Sequence, residues 1–130
     1  MDGLHHLALT VGDIERSVDW YARVLGFDLL TQISDNGLTK AVMRRSDDLV
    51  ITLVAHGTSA ISGDFDERRS GLDHISFAVA HRDVVDNWVQ VLHANNVPHS
   101  QPVDSRAGYV VSFRDPDNIA LEFYASPPKL

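Results

Sequence analysis

A chain that contains two copies of one pattern is constrained to fold as two copies of one unit, and here the pattern is centred on a histidine. Displaced by 68 residues, the sequence falls into register with itself: Leu4 on Leu72, His6 on His74, Val11 on Val79 and Trp20 on Trp88. The apolar rhythm agrees around these positions, LHHLALTV against LDHISFAV. A second pair of segments, LVITLVAH from Leu49 and IALEFYAS from Ile119, matches at an offset of 70 and sets Thr52 against Glu122. Self-similarity of this kind decides architecture, because each copy is one supersecondary unit. In a two-fold-related pair of units His6 and His74 become equivalent, as do Thr52 and Glu122. Two histidines and one carboxylate are then placed to converge on one metal ion, and a non-ligating threonine takes the fourth equivalent position.

The chain has 130 residues, of which 44% are hydrophobic and 22% charged. That is enough for one sizeable core and short for two independent domains. The expectation is a single domain over 1–130, with a first unit at about 4–56, a linker at 57–71 and a second unit at about 72–126. The formal net charge is −7 and diffuse, which argues against nucleic acid or an anionic membrane as partner. Without cysteine, only His, Asp and Glu are available as strong metal ligands. No apolar run approaches the ~20 residues of a membrane span, and MDGLHH has neither the basic nor the apolar part of a secretion signal. A cytoplasmic location is expected.

Leu4–Val11 is apolar on both faces, as a buried strand should be. Asp13 is placed as the N-cap of a helix carrying Ile14, Val18, Tyr21 and Leu25, and Gly26 as its C-terminal stop. FDLLTQIS, LTKAVMRR and LVITLVAH read as three strands, the first two joined by the hairpin signal Asn36-Gly37. The second unit repeats the order. A strand covers Leu72–Val79, and a helix bearing Val84, Trp88, Val91 and Leu92 runs to about Asn95. A short strand follows near His99–Val103. Tyr109–Arg114 and Ile119–Ala125 then form a hairpin around the turn Asp115-Pro116-Asp117-Asn118. The predicted class is α+β, two βαβββ units with helices outside.

Strand alternation places His6, Ala8 and Thr10 on one face, His74, Ser76 and Ala78 on the matching face, and Ala120, Glu122 and Tyr124 on one face of the last strand. Ala8 and Ser76 are small, which leaves room beside each histidine for a substrate. His5 should point away from His6. His56 shares a face with Thr52 at a strand end and reads either as a pocket rim or as a solvated terminus. Arg106, in the loop SRAG, reads either as a carboxylate clamp or as a solvated arginine. Trp20 and Trp88 read as equivalent core residues.

These segments together resemble the vicinal oxygen chelate superfamily, which includes glyoxalase I, fosfomycin-resistance transferases, methylmalonyl-CoA epimerase, extradiol dioxygenases and bleomycin-binding proteins. HHLALTVGDIERSVDWYARVLGF is similar to that family's opening strand, helix and LGF segment. GLDHISFAV is similar to its fifth strand, and FRDPDNIALEFYA to its closing hairpin. The resemblance covers nearly the whole chain. It implies paired βαβββ units whose sheets curve around a metal-containing cleft, ligands at His6, His74 and Glu122, one divalent ion per site (Zn, Ni, Co, Mn or Fe(II)), and a homodimer.

Thr52 departs from the glyoxalase I pattern, which has a glutamate or glutamine there. A threonine is a poor ligand and a poor base, so glyoxalase I chemistry itself is not expected. Asn118 replaces the usual glycine of the D-P-D-G turn, but asparagine tolerates the left-handed geometry. The sequence therefore predicts a metal-dependent enzyme of the glyoxalase-related lyase or isomerase type. It would act on a small oxygenated molecule by chelating vicinal oxygens and stabilising an enolate or alkoxide. Thr52, Ser76 and Arg106 would touch substrate, and Tyr124 or, less favoured, His56 would move protons. The alternatives are a bleomycin-resistance-type binding protein and an Fe(II)-dependent dioxygenase.

Overall fold

The computed structural model describes residues 1–129, and these divide into two compact units, Met1–Gly63 and a second beginning at Asp64. The first unit runs β1 (Leu7–Thr10), α1 (Ile14–Leu25), β2 (Asp28–Asp35), β3 (Leu38–Arg44) and β4 (Val50–Ala55). The second runs β5 (Ile75–Val79), α2 (Arg82–Ala94), β6 (Val103–Ser105), β7 (Gly108–Arg114) and β8 (Ala120–Ala125). Each unit is one four-stranded mixed sheet, ordered β1-β4-β3-β2 in the first and β5-β8-β7-β6 in the second. The α+β class and the βαβββ repeat of the sequence reading are both present. Among the described residues no helix is long and apolar enough to cross a membrane.

Local chemistry explains the elements of the first unit. Asp13 accepts a hydrogen bond from the Arg16 amide at 3.1 Å, which satisfies one of the orphan donors at the start of α1. Gly26 closes the helix in the left-handed region at φ 75°. Asn36 and Gly37 take φ 49° and 79°, the two positive values that a tight hairpin between right-twisted strands requires. Tyr21, Leu25, Met43, Ile51 and Leu53 are fully buried between α1 and its sheet. Strand β2 is one edge of the sheet, and every one of its residues is exposed.

In the second unit α2 packs on β7 and β8. Trp88 stacks on Phe123 at 4.3 Å between ring centroids, and Phe123 stacks on Phe113 at 5.0 Å. This aromatic column fixes the inner face of β8 and so directs Glu122 to the other face. At the hairpin turn the buried Asp115 carboxylate accepts from the amides of Asp117 at 2.8 Å and Ile119 at 2.9 Å. Asn118 adopts φ 67°, the left-handed geometry expected of it.

Three expectations change. The histidines do not lie in strands: His6 and His74 immediately precede β1 and β5. Parallel pairing starts one residue later in each unit, at Leu7–Ile51 and at Ile75–Leu121. The strand expected at His99–Val103 forms instead at Val103–Ser105, with a single bridge from His99 to Phe113. Pro98 and Pro102 flank the gap and carry no amide hydrogen for a ladder. Finally, the segment 57–71 is shared between the units. Gly57–Ser59 is a 3-10 turn, whereas the part from Asp64 docks on the hairpin turn of its own unit. The Phe65 amide donates to the Asp117 carbonyl at 2.9 Å, and the Asn118 side chain donates to the Phe65 carbonyl at 3.1 Å.

Arg114 fastens this strap with a forked contact to Glu67, 2.8 and 3.1 Å to its two oxygens. The hydrogen bonds from Arg114 hold the Glu67 carboxyl down to about 2, against an ordinary 4.5. A depressed carboxylate contributes stability above its unfolded value, and that contribution is lost as pH falls from about 4.5 through about 2. An NMR titration should therefore give Glu67 a midpoint near 2 in the wild type and one raised toward 4.5 in Arg114→Ala. A wild-type midpoint already at the ordinary value would show that the clamp does not form in solution.

Candidate metal centre

The parallel strand pairs build equivalent rows in the two units. Ala8 lies opposite Thr52 in the first, and Ser76 lies opposite Glu122 in the second. The offset matching of the sequence is thereby reproduced in hydrogen-bond register, with each histidine two residues before the paired small residue. Leu9 and Leu53, and Ile75, Leu121 and Phe123, turn to the helices and are buried. The opposite face carries His74, Ser76, Glu122 and Tyr124 in the second unit.

His74 and Glu122 meet, with the histidine Nε2 3.5 Å from Glu122 Oε1. Two donors each roughly 2.1 Å from one divalent ion stand about 3.0–3.4 Å apart in octahedral or tetrahedral geometry. At 3.5 Å the pair stands just outside that separation, and its imidazole and carboxylate are donor types that a divalent cation accepts. The other ring nitrogen, Nδ1, lies 2.6 Å from Asp73 Oδ1. That hydrogen bond is the main cause raising the His74 pKa above 6.5, opposed by partial burial and aided by the negative charge of Glu122. His6, in the first unit, has its Nδ1 2.8 Å from Nδ1 of His5. The opposite-face placement expected for His5 therefore does not hold: both residues precede the strand, so alternation does not separate them. Among the described residues no group of three or more His, Asp or Glu side chains is gathered as a cation cluster.

The remaining candidates are distributed as follows. Thr52 sits half-buried between Ala8 and Val42. His56 follows β4 and places Nε2 3.3 Å from the Thr10 hydroxyl. The Tyr124 hydroxyl donates to the Ala107 carbonyl, so this side chain ties down the β6–β7 turn that carries the exposed Arg106. Gly108 is required there: a Cβ would lie 2.6 Å from both the Ala125 carbonyl oxygen and the Tyr124 ring.

Two residues of the site escaped the sequence reading. Ser112 lies opposite Glu122 on β7, completing the row Ser76, Glu122, Ser112. The turn at Asp115–Asn118 fixes that register and was enough to place it. Asp73 was missed because its contact is with its own neighbour. Its alignment with His5 under the offset of 68 was the available signal.

The family model described as Glyoxalase/Bleomycin resistance protein/Dioxygenase superfamily matches residues 3–123. A glyoxylase/bleomycin resistance protein/dioxygenase domain from Frankia sp. EAN1pec is 31% identical, with a TM-score of 0.91, covering 98% of this chain and 99% of that one. The uncharacterized protein YwkD of Bacillus subtilis is 29% identical over 134 residues, 95% of this chain and 97% of its own. The fosfomycin resistance protein FosX of Listeria monocytogenes, solved with Mn(II) and sulfate, shares the fold at a TM-score of 0.71 and 19% identity, covering 98% of this chain and 94% of that one.

Proposed function

The chain belongs to the glyoxalase/bleomycin resistance protein/dioxygenase superfamily, and on that footing we propose that it is a divalent-metal-dependent enzyme acting on a small oxygenated molecule. The reaction would be of the glyoxalase-related lyase or isomerase type. The observation that carries this reading is the approach of His74 Nε2 to Glu122 Oε1 at 3.5 Å on the polar side of β5 and β8. His74 and Glu122 would hold the ion and His6 would supply the third protein ligand. A bound divalent ion with open positions supplies Lewis-acid polarisation of two neighbouring substrate oxygens. The presence of Mn(II) in FosX supports a divalent ion in a protein of this fold. Zn²⁺, Ni²⁺, Co²⁺, Mn²⁺ and Fe²⁺ are all compatible with two imidazoles and a carboxylate.

The chain's own groups would do the rest. Ser76 and Ser112 flank Glu122 in the sheet register and would orient substrate oxygens. Arg106 at the β6–β7 turn would meet an anionic group. For proton transfer the candidates are Tyr124 and His56, whose polar atoms contact the Ala107 carbonyl and the Thr10 hydroxyl respectively. Those contacts also favour the second reading, a small-molecule-binding protein of the bleomycin-resistance type that performs no chemistry. An Fe(II)-dependent dioxygenase would use the same ligand set and is separated from the first reading by turnover with oxygen.

Metal analysis of the purified protein tests the core of the proposal. The wild type should carry close to one divalent ion per chain and His74→Ala should lose it. Equal metal content in both would remove His74 from the site.

Thr52 generates a second expectation. Its hydroxyl does not titrate near neutrality and cannot serve unaided as the base that moves protons. The metal-loaded protein should show little or no isomerisation of the methylglyoxal–glutathione adduct. Turnover in the ordinary enzymatic range of about 1–1,000 per second would show that Thr52 does not limit the chemistry.

A homodimer is part of the same proposal. The edge strand β2 exposes Leu29, Leu30 and Ile33, apolar groups whose burial against a second copy would be favourable. Light scattering at micromolar concentration should give the mass of two chains. A single-chain mass throughout would refute the assembly.

A further inference from the structure

We propose that the residue immediately before each histidine is its positioning residue, Asp73 for His74 and His5 for His6, engaging Nδ1 so that Nε2 is the atom presented to a cation. This rests on the metal reading above. The offset of 68 that carries His6 onto His74 also carries His5 onto Asp73, and in both units the preceding side chain contacts Nδ1, at 2.8 Å in the first and 2.6 Å in the second. Neighbouring residues in a strand project to opposite faces and do not touch. The contact is possible because both pairs stand just before their strands.

Which nitrogen of a neutral imidazole carries the proton is decided by the hydrogen bond the ring makes. Ionised carboxylates only accept, and Asp73 at 2.6 Å from Nδ1 competes better for the one proton of a neutral ring than Glu122 at 3.5 Å from Nε2, so the proton sits on Nδ1 and the Nε2 lone pair faces Glu122. A carboxylate behind a ligating histidine also raises its basicity as a ligand. His5 does the same in the tautomer whose own Nδ1 accepts, since a neutral imidazole can accept or donate there. The two units thus orient equivalent histidines with different chemistry at one repeat position. Asp73 has a side chain 73% exposed, and an exposed pair adds little to folding stability. Its removal therefore separates orientation from folding.

The deciding measurement needs no metal. In protein labelled with ¹⁵N-histidine, at a pH well above the imidazole range, two-bond ¹H–¹⁵N spectra report which ring nitrogen bears the proton. Wild-type His74 should carry it on Nδ1, Asp73→Ala should transfer it to Nε2, and Asp73→Asn, which keeps an acceptor oxygen, should retain it on Nδ1. Thermal melts of all three should coincide. Titration with Mn²⁺ alone should then show affinity reduced roughly 10- to 100-fold in Asp73→Ala, with smaller losses in Asp73→Asn and His5→Ala. A His74 proton that stays on Nδ1 in Asp73→Ala overturns the assignment whatever the metal affinity. If the proton moves but the wild type takes up no Mn²⁺ or Zn²⁺, the positioning role stands and the metal reading fails.

Discussion

The parallel pairing of the first strand of each unit with its last is the constraint on which the rest depends. It sets Ala8 against Thr52 and Ser76 against Glu122, residues far apart in sequence. Because side chains alternate across a sheet, a slip of one residue in the β5–β8 pair would turn Glu122 toward the helix and Leu121 away from it. Burying that carboxylate without a partner would cost several kcal/mol or force its protonation. The aromatic column Trp88–Phe123–Phe113 opposes such a slip from the apolar side. The Asp115 turn opposes it at the strand's beginning. The polar row is therefore held in place by packing on the opposite face.

Most of this was legible in the sequence, and for identifiable reasons. Signals that act over a few residues were read correctly: Asp13 and Gly26 bounding α1, Asn36-Gly37 at the first hairpin, Asn118 in left-handed geometry. The repeat carried information over the longest distance: the equivalence of Thr52 with Glu122 that it gave is matched by their equivalent places opposite Ala8 and Ser76. What failed were features governed by contacts with no local or repeated signature. The forked bond from Arg114 to Glu67 spans 47 residues and has no counterpart in the first unit. The short strand β6 was misplaced because the repeat order calls for a strand near His99, while the prolines on either side deny it a ladder.

For the site, repetition located residues but not their conformations. It singled out His6, His74 and Glu122 as candidates by position alone. It gave no hint that the Tyr124 hydroxyl would be committed to the Ala107 carbonyl, since that depends on how the β6–β7 turn folds over the strand. Nor did the alternation rule foresee the pairing of adjacent side chains at His5–His6 and Asp73–His74, because it holds only inside strands. The divergence of the two copies is equally informative: where one unit has a carboxylate at the paired position, the other has a threonine. The two units share one internal register, and the difference at this position leaves a carboxylate in only one of them.

The strap from Asp64 bears on how this architecture can vary. By composition it is a loop, polar and rich in turn formers, the kind of segment in which insertions are ordinarily tolerated. Yet it is sewn to the hairpin turn at Phe65 and Glu67, and only a few residues later the chain must deliver Asp73 and His74 to the start of β5. Its length is therefore a gauge that sets where the histidine emerges. Added residues between Glu67 and Asp73 would have to bulge outward or shift His74 along the sheet edge. Length variation in homologous folds should accordingly fall before Asp64, in the 3-10 turn and the residues after it, and avoid the stretch that looks equally loop-like but serves as a ruler.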